Sequence, residues 1–242
     1  MKPDIPRRHF CIGAAALLLA ACISPPKKEM AMTAQKRIFI IHGYGASPDD
    51  HWFPWLAEQL QAQGLCVQRI ALPDSHAPDF SRWQQALAAA IGTPGAEDIF
   101  IAHSLGTISL LHYLSHTRPA RIGALVLASG FGGKLPGLSE INGYSVDDYV
   151  AQVRLDLPAI RAMTPHIACI ISDNDPIVAP AESQKLADNL SSAVIRIPQG
   201  GHLLATDGFT RLPQALQVVE AALQGGLFLP GAPGAEISAP SL

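Results

Sequence analysis

The chain has 242 residues, of which 48% are hydrophobic and 15% charged, and its formal net charge is −3 at pH 7. That length supports one domain with an ample core, so neither a disulfide framework nor a structural metal is needed to hold it. The charge is small and dispersed, with no basic stripe, which argues against nucleic acid or an acidic partner.

The first 22 residues differ from the rest. MKPDIPRRHF carries three basic residues, and an apolar run follows, CIGAAALLLAA, ending at Cys22. The run is shorter than the ~20 apolar residues of a membrane span and fits the h-region of a signal peptide. LAAC, residues 19–22, resembles a bacterial lipobox, which makes Cys22 the expected lipidation site. Arg7-Arg8-His9-Phe10 resembles a twin-arginine export signal. The expectation is a protein of the bacterial cell envelope, anchored to the membrane by lipid at Cys22. Ile23 is not an aspartate, which favours the outer membrane. The alternative is a misassigned start, with a cytoplasmic protein beginning at Met30 or Met32. Residues 23–35, ISPPKKEMAMTAQ, read as a flexible tether.

Regular structure is expected from Lys36. Ile38–Ile41 form an apolar run bounded by glycine, read as a buried strand. Residues 49–64 read as a helix stopped by Gly64, and 65–72 as a strand. Residues 80–92 read as a helix with Ser81 as its N-cap. A strand over 98–103 runs straight into Ser104, and a helix covers 105–117. A strand over 122–129 precedes a glycine-rich, irregular stretch to 145 and weak helical patterns to about Ala162. Strands at 166–172 and 193–198 alternate with helices at 180–190 and 212–224. The tail, 225–242, reads as disordered. Cys66 and Cys169 lie in strand-like runs and read as buried free thiols.

Alternating short strands and helices imply an α/β fold: a mostly parallel sheet of about six strands covered by helices on both faces. The domain spans 36–224 and has no room for a large cap; only 130–165 can shape a lid. In such a sheet, sites form beyond the carboxyl ends of the strands. Those ends carry His42-Gly43, Ser104, Asp173 with Asp175, and Gly201-His202. Serine, aspartate and histidine thus follow one another in the chain order of an α/β-hydrolase triad. A hydroxyl needs a base to take its proton, and the base needs a carboxylate to fix its tautomer. A-H-S-L-G at 102–106 departs from G-x-S-x-G at Ala102, whose extra methyl group a relaxed packing accepts. The N–H groups of Leu105 and Tyr44 are the expected oxyanion donors.

IHGYGASPDDHWFPWL, AHSLG, SDNDPIV and GGHLLATDGFTRLP together resemble the small α/β-hydrolases of the YdeN and retinoblastoma-binding-protein-nine type. The resemblance covers about Lys36 to Gln224. It implies Ser104 as nucleophile, Asp175 as acid and His202 as base, acting on small esters. The D-P-I-V context singles out Asp175 over Asp173. The lipobox leader departs from the family pattern. A rival reading is a protein-binding module that keeps the fold without turnover.

Other residues read as supporting. His103 packs beside the elbow, and His42 is structural. His51, Trp52, Phe53 and Trp55 either line the pocket or form a helix face in the core. His112 and His116 are spaced as a pair on one helix face, but the sequence places no further ligand near them, so no metal is expected. GYGASP lacks the ending of a P-loop. No cofactor is expected, and a small-molecule ester is the expected partner.

Overall fold

A computed structural model describes Met1 and residues 36–226. The signal peptide with Cys22, the tether, and the tail beyond Gly226 lie outside the described residues. In chain order the elements are β1 (Arg37–Ile41), α1 (Phe53–Ala62), β2 (Cys66–Ile70), α2 (Phe80–Ile91), β3 (Ile99–His103) and α3 (Leu105–Thr117). Then come β4 (Ala124–Ala128), β5 (Glu140–Ile141), β6 (Tyr144–Ser145), α4 (Val146–Gln152) and α5 (Leu157–Met163). The chain continues with β7 (Ile167–Ser172), α6 (Pro180–Leu190), β8 (Ala193–Ile197), a 3₁₀ turn at Ala205–Asp207, and α7 (Pro213–Leu223).

Six strands form one parallel sheet in the order β2-β1-β3-β4-β7-β8. β1, β3, β4 and β7 are its inner strands, and their apolar runs are buried on both faces, as parallel sheets require. Side chains alternate across the sheet. Ile38, Ile40, Ile99, Ile101 and Val126 pack against α1 and α7. Phe39, Ile41, Phe100, Leu125 and Leu127 face α2 to α6. The chain runs outward from β1 to β2 and then returns across β1 to β3. The strand order therefore reverses between β1 and β3, where open α/β sheets form a crevice for ligands.

Three expectations need correction. The N-cap of α2 is Asp79, not Ser81: its carboxylate accepts from Arg82 N at 2.8 Å. The ionised carboxylate is the stronger acceptor, and Ser81 lies inside the first turn. The first helix starts at Phe53 because His51 has φ +54, outside helical space, while Pro54 suits the opening turn. Cys66 is exposed, since β2 is an edge strand; Cys169 is buried, and burial pushes its thiol up to about 12.

The stretch after β4 is more ordered than its composition implies. β5 and β6 pair as a short antiparallel hairpin, followed by the short helices α4 and α5. Ser145 and Asp156 cap these helices with side-chain acceptors. Tyr149 of α4 is buried and bonds to Ser109 Oγ on α3 at 2.7 Å, which fixes this layer over the helix that follows Ser104.

Candidate active site

Ser104 sits between β3 and α3 with φ +53 and ψ −128, a strained conformation for a residue with a Cβ. Regular structure holds it there. Its N–H donates to Ala128 O on β4 at 3.0 Å, and its carbonyl accepts from Thr107 N at 2.9 Å and Thr107 Oγ1 at 2.6 Å. The strand and helix must approach closely for this turn to form. A Cβ on Gly106 would collide with the carbonyl oxygen of His42, so glycine is needed there. Ala102 is fully buried in β3, and its methyl group is accommodated.

The turn after β1 lies against the same elbow. A Cβ on Gly43 would stand 2.8 Å from Ser104 Cβ, which places the His42–Tyr44 segment beside the serine. His42 is buried and fully used in holding this turn. Its Nδ1–H donates to Gly43 O at 2.9 Å, and Nε2 accepts from Leu72 N at 3.0 Å. Burial lowers its pKa below the ordinary histidine value, so it stays neutral. Tyr44 packs its ring on Tyr144 of the hairpin, 5.5 Å between centroids, and donates its hydroxyl to Ile141 O at 3.3 Å. Leu105 is the first residue of α3, where a backbone N–H has no partner within the helix.

Asp175 and His202 come from loops after β7 and β8. β8 lies three strand spacings from β3, roughly 14 Å at ~4.8 Å per strand. The segment after Ile197 must therefore turn back over the sheet, and it brings His202 to Ser104. Nε2 of His202 is 2.9 Å from Ser104 Oγ. Nδ1 is 2.9 and 2.8 Å from the two carboxylate oxygens of Asp175. A carboxylate only accepts, so Nδ1 carries the proton and Nε2 of the neutral ring is free to accept from the serine hydroxyl. Asp175 is itself oriented by Ile177 N and Val178 N, each 2.9 Å from Oδ1. All three side chains are largely withdrawn from solvent.

Asp173 plays a different part. It is exposed, and its carboxylate accepts from Gln199 N at 2.7 Å rather than from His202. Asn174 Oδ1 accepts from Gly201 N at 2.8 Å. The two residues cross-link the loop after β7 to the loop after β8. Asn174 was not singled out in the sequence, and neither was Asp207, whose carboxylate accepts from His202 N at 2.8 Å and Leu204 N at 3.1 Å. The Gly200-Gly201 doublet marks a special turn, but nothing local says which side chain closes it.

Of the aromatic cluster, Trp52 and Phe53 are fully buried core residues, and Trp55 packs partly buried against the same cluster. His51 is half-buried, and its Nδ1 accepts from Ala205 N at 3.1 Å, in the loop after His202. His112 and His116 stack, and His112 Nδ1 accepts from Arg154 N at 2.9 Å. Among the described residues no group of three or more His, Cys, Asp or Glu side chains is placed to hold a metal ion.

A family profile described as serine hydrolase matches residues 38–221. The chain belongs to the serine hydrolase family. It is 34% identical to YdeN of Bacillus subtilis (strain 168) over 185 residues, covering 76% of this chain and 94% of that protein. The crystal structure of the B. subtilis ydeN gene product superposes with a TM-score of 0.73 over 78% of this chain and all of that one, at 34% identity. Serine hydrolase RBBP9 of Rattus norvegicus is 24% identical over 180 residues, 73% of this chain and 91% of its own. The sheet, its helices and these relatives make this serine hydrolase an α/β-hydrolase in fold.

Proposed function

We propose that this serine hydrolase cleaves small carboxylic esters through Ser104, His202 and Asp175, by way of an acyl-enzyme. The observation that carries the reading is the 2.9 Å contact of His202 Nε2 with Ser104 Oγ, in a ring whose other nitrogen is held by Asp175. Ser104 Oγ attacks the carbonyl carbon as its proton passes to His202 Nε2. Asp175 stabilises the imidazolium that forms. The N–H groups of Leu105 and Tyr44 receive the negative charge on the tetrahedral oxygen, each contributing about 2.7–4 kcal/mol when preorganised. His202 returns the proton to the leaving alcohol. Water then enters by the same route, His202 takes its proton, and the acid is released with Ser104 restored.

A short-chain ester suits a site whose Tyr44 turn is packed against the β5–β6 hairpin. The test is labelling by a fluorophosphonate probe, located by mass spectrometry, beside a chain-length series of nitrophenyl esters and an anilide. Labelling at Ser104 with turnover of the short esters is expected. Turnover of the anilide alone would replace the ester with an amide, and no labelling would favour a binding module on the same fold.

The proposal extends to location. The Arg7-Arg8 pair, the apolar run and Cys22 support an exported protein anchored by lipid in the cell envelope. Uptake of a fatty-acid label, lost in Cys22→Ser, is expected. An unlabelled cytosolic protein whose intact mass begins at Met30 or Met32 would overturn it.

A further inference from the structure

His202 lies in a segment whose backbone is under strain. Gln199, Gly201 and Leu203 have φ of +51, +56 and +60, two of them residues with a Cβ. No helix or strand encloses this turn as β3 and α3 enclose Ser104. A strained conformation persists only where its surroundings over-determine it. The turn has a backbone bond of its own, Leu203 N to Gly200 O at 3.0 Å, and the groups that meet the backbone of His202 itself are side chains.

All four polar groups of His202 are engaged. Two engagements are those of the ring with Ser104 and Asp175. The other two belong to the backbone. Asp207 Oδ2 accepts the His202 N–H at 2.8 Å, and His103 Nε2 lies 2.9 Å from the His202 carbonyl oxygen. A carbonyl only accepts, so His103 carries its proton on Nε2 and donates it. His103 is fully buried, and this is its side chain's one hydrogen bond among the described residues: Nδ1 has no partner. Its ring lies 4.9 Å from that of His202. The Asp207 carboxylate fills the space that a Cβ on Gly201 would occupy.

We propose that His103 and Asp207 are positioning residues that clamp His202 at its carbonyl and its N–H, fixing the reach of its imidazole to Ser104. The inference rests on the serine-hydrolase reading above. His103 is suited to this on two grounds. It ends β3, next to the nucleophile, so the base is referenced to the same strand that carries the serine. It also stays neutral, because burial holds its pKa well below the ordinary histidine value, and it adds no charge beside the base. Asp207 works from the opposite side and also takes Leu204 N at 3.1 Å, closing the turn.

The test compares His103→Leu, which removes the donor, with His103→Gln, which keeps an N–H near the same place, and adds Asp207→Ala at an exposed position. Turnover of nitrophenyl acetate and the rate of fluorophosphonate labelling are measured, with thermal melting as a check on folding. His103→Leu and Asp207→Ala are expected to lower kcat and the labelling rate by about 10–100-fold, the effect of an ångström-scale misplacement. KM should stay within about threefold, since neither residue meets the substrate, and His103→Gln should recover most of the loss. Should His103→Leu fail to fold, Asp207→Ala, which removes the acceptor of the His202 N–H, decides the matter. Folded His103→Leu or Asp207→Ala protein that turns over and labels at the wild-type rate, or that changes only KM, would overturn the clamp. A wild-type protein that does not label at Ser104 would instead remove the reading on which it rests.

Discussion

Ser104 and His202 meet at 2.9 Å, yet the molecule holds them by different means. The turn at Ser104 is fixed by regular structure, its own strand and helix and the neighbouring strand β4. A buried strand enters it, a buried helix leaves it, and the backbone of Ser104 is bonded to Ala128 and Thr107. The loop that carries His202 is fixed by residues from elsewhere in the chain. Asp173, Asn174, His103 and His51 reach it from other elements, and Asp207 folds back from five residues on. Strain in the first region is absorbed by regular structure, whereas strain in the second is held by side-chain hydrogen bonds. A reactive residue can therefore be placed accurately at the edge of an element or within a loop, but the loop needs more partners.

Substitutions can break this contrast. The largest effect is expected from Ser104→Ala, which should lower kcat/KM by roughly 10⁵–10⁶-fold in a protein that still melts cooperatively. Retained turnover would exclude Ser104 as nucleophile. Next, Asp175→Asn should slow turnover by about 10⁴-fold, because an amide can present its N–H to Nδ1 and favour the wrong tautomer. Asp173→Asn should cost only a few-fold, since it holds Gln199 N and does not meet the ring. The reverse ranking in steady-state kinetics would exchange the two assignments.

The elbow itself is sharpened by Gly106→Ala. The added methyl group meets the His42 carbonyl, and overpacking of this kind destabilises by about 1–3 kcal/mol. Urea unfolding should show that loss, accompanied by slower turnover because the His42–Tyr44 turn after β1 and Ser104 after β3 pack against each other at this point.

The smallest effect is on the pH dependence of stability. His42 and His103 are buried, and burial lowers both pKa values. The folded state then binds fewer protons than the unfolded state once pH falls below the ordinary histidine value of ~6.5. Stability is fully present above that pH and declines as pH drops toward the folded-state values. The slope is at most about 1.4 kcal/mol per pH unit for each histidine. Urea midpoints measured between pH 8 and 5 should follow this course, and His103→Gln should flatten it. An unchanged slope in that variant would mean that His103 is not held neutral by burial.

Much of the fold was legible because its signals are local. Apolar runs at Ile38–Ile41 and Ile99–Ala102, each leading into a reactive or glycine-rich turn, announce buried strands without reference to the rest of the chain. The order of Ser104, Asp175 and His202 at strand ends follows once those strands are recognised. The burial of Cys66 was misread because being an edge strand is a property of the sheet order, which no five-residue run contains. The cap of α2 was misplaced by two residues, because serine and aspartate near a helix start compete on geometry that the sequence leaves open.

What the sequence alone determined, then, is the set of elements and the chemistry offered at their ends, since period, turn residues and strand-end residues are all encoded within a few positions. Only the tertiary structure decided which groups face one another. The loop carrying His202 leaves β8, yet it ends beside a serine that leaves β3. Its N–H, its carbonyl and its ring are claimed by Asp207, His103, Asp175 and Ser104. Three of these four lie 27 or more residues away in the chain. Hydrogen bonds act over about 3 Å, so such partners are chosen by how the sheet stacks its strands and by where a strained turn comes to rest.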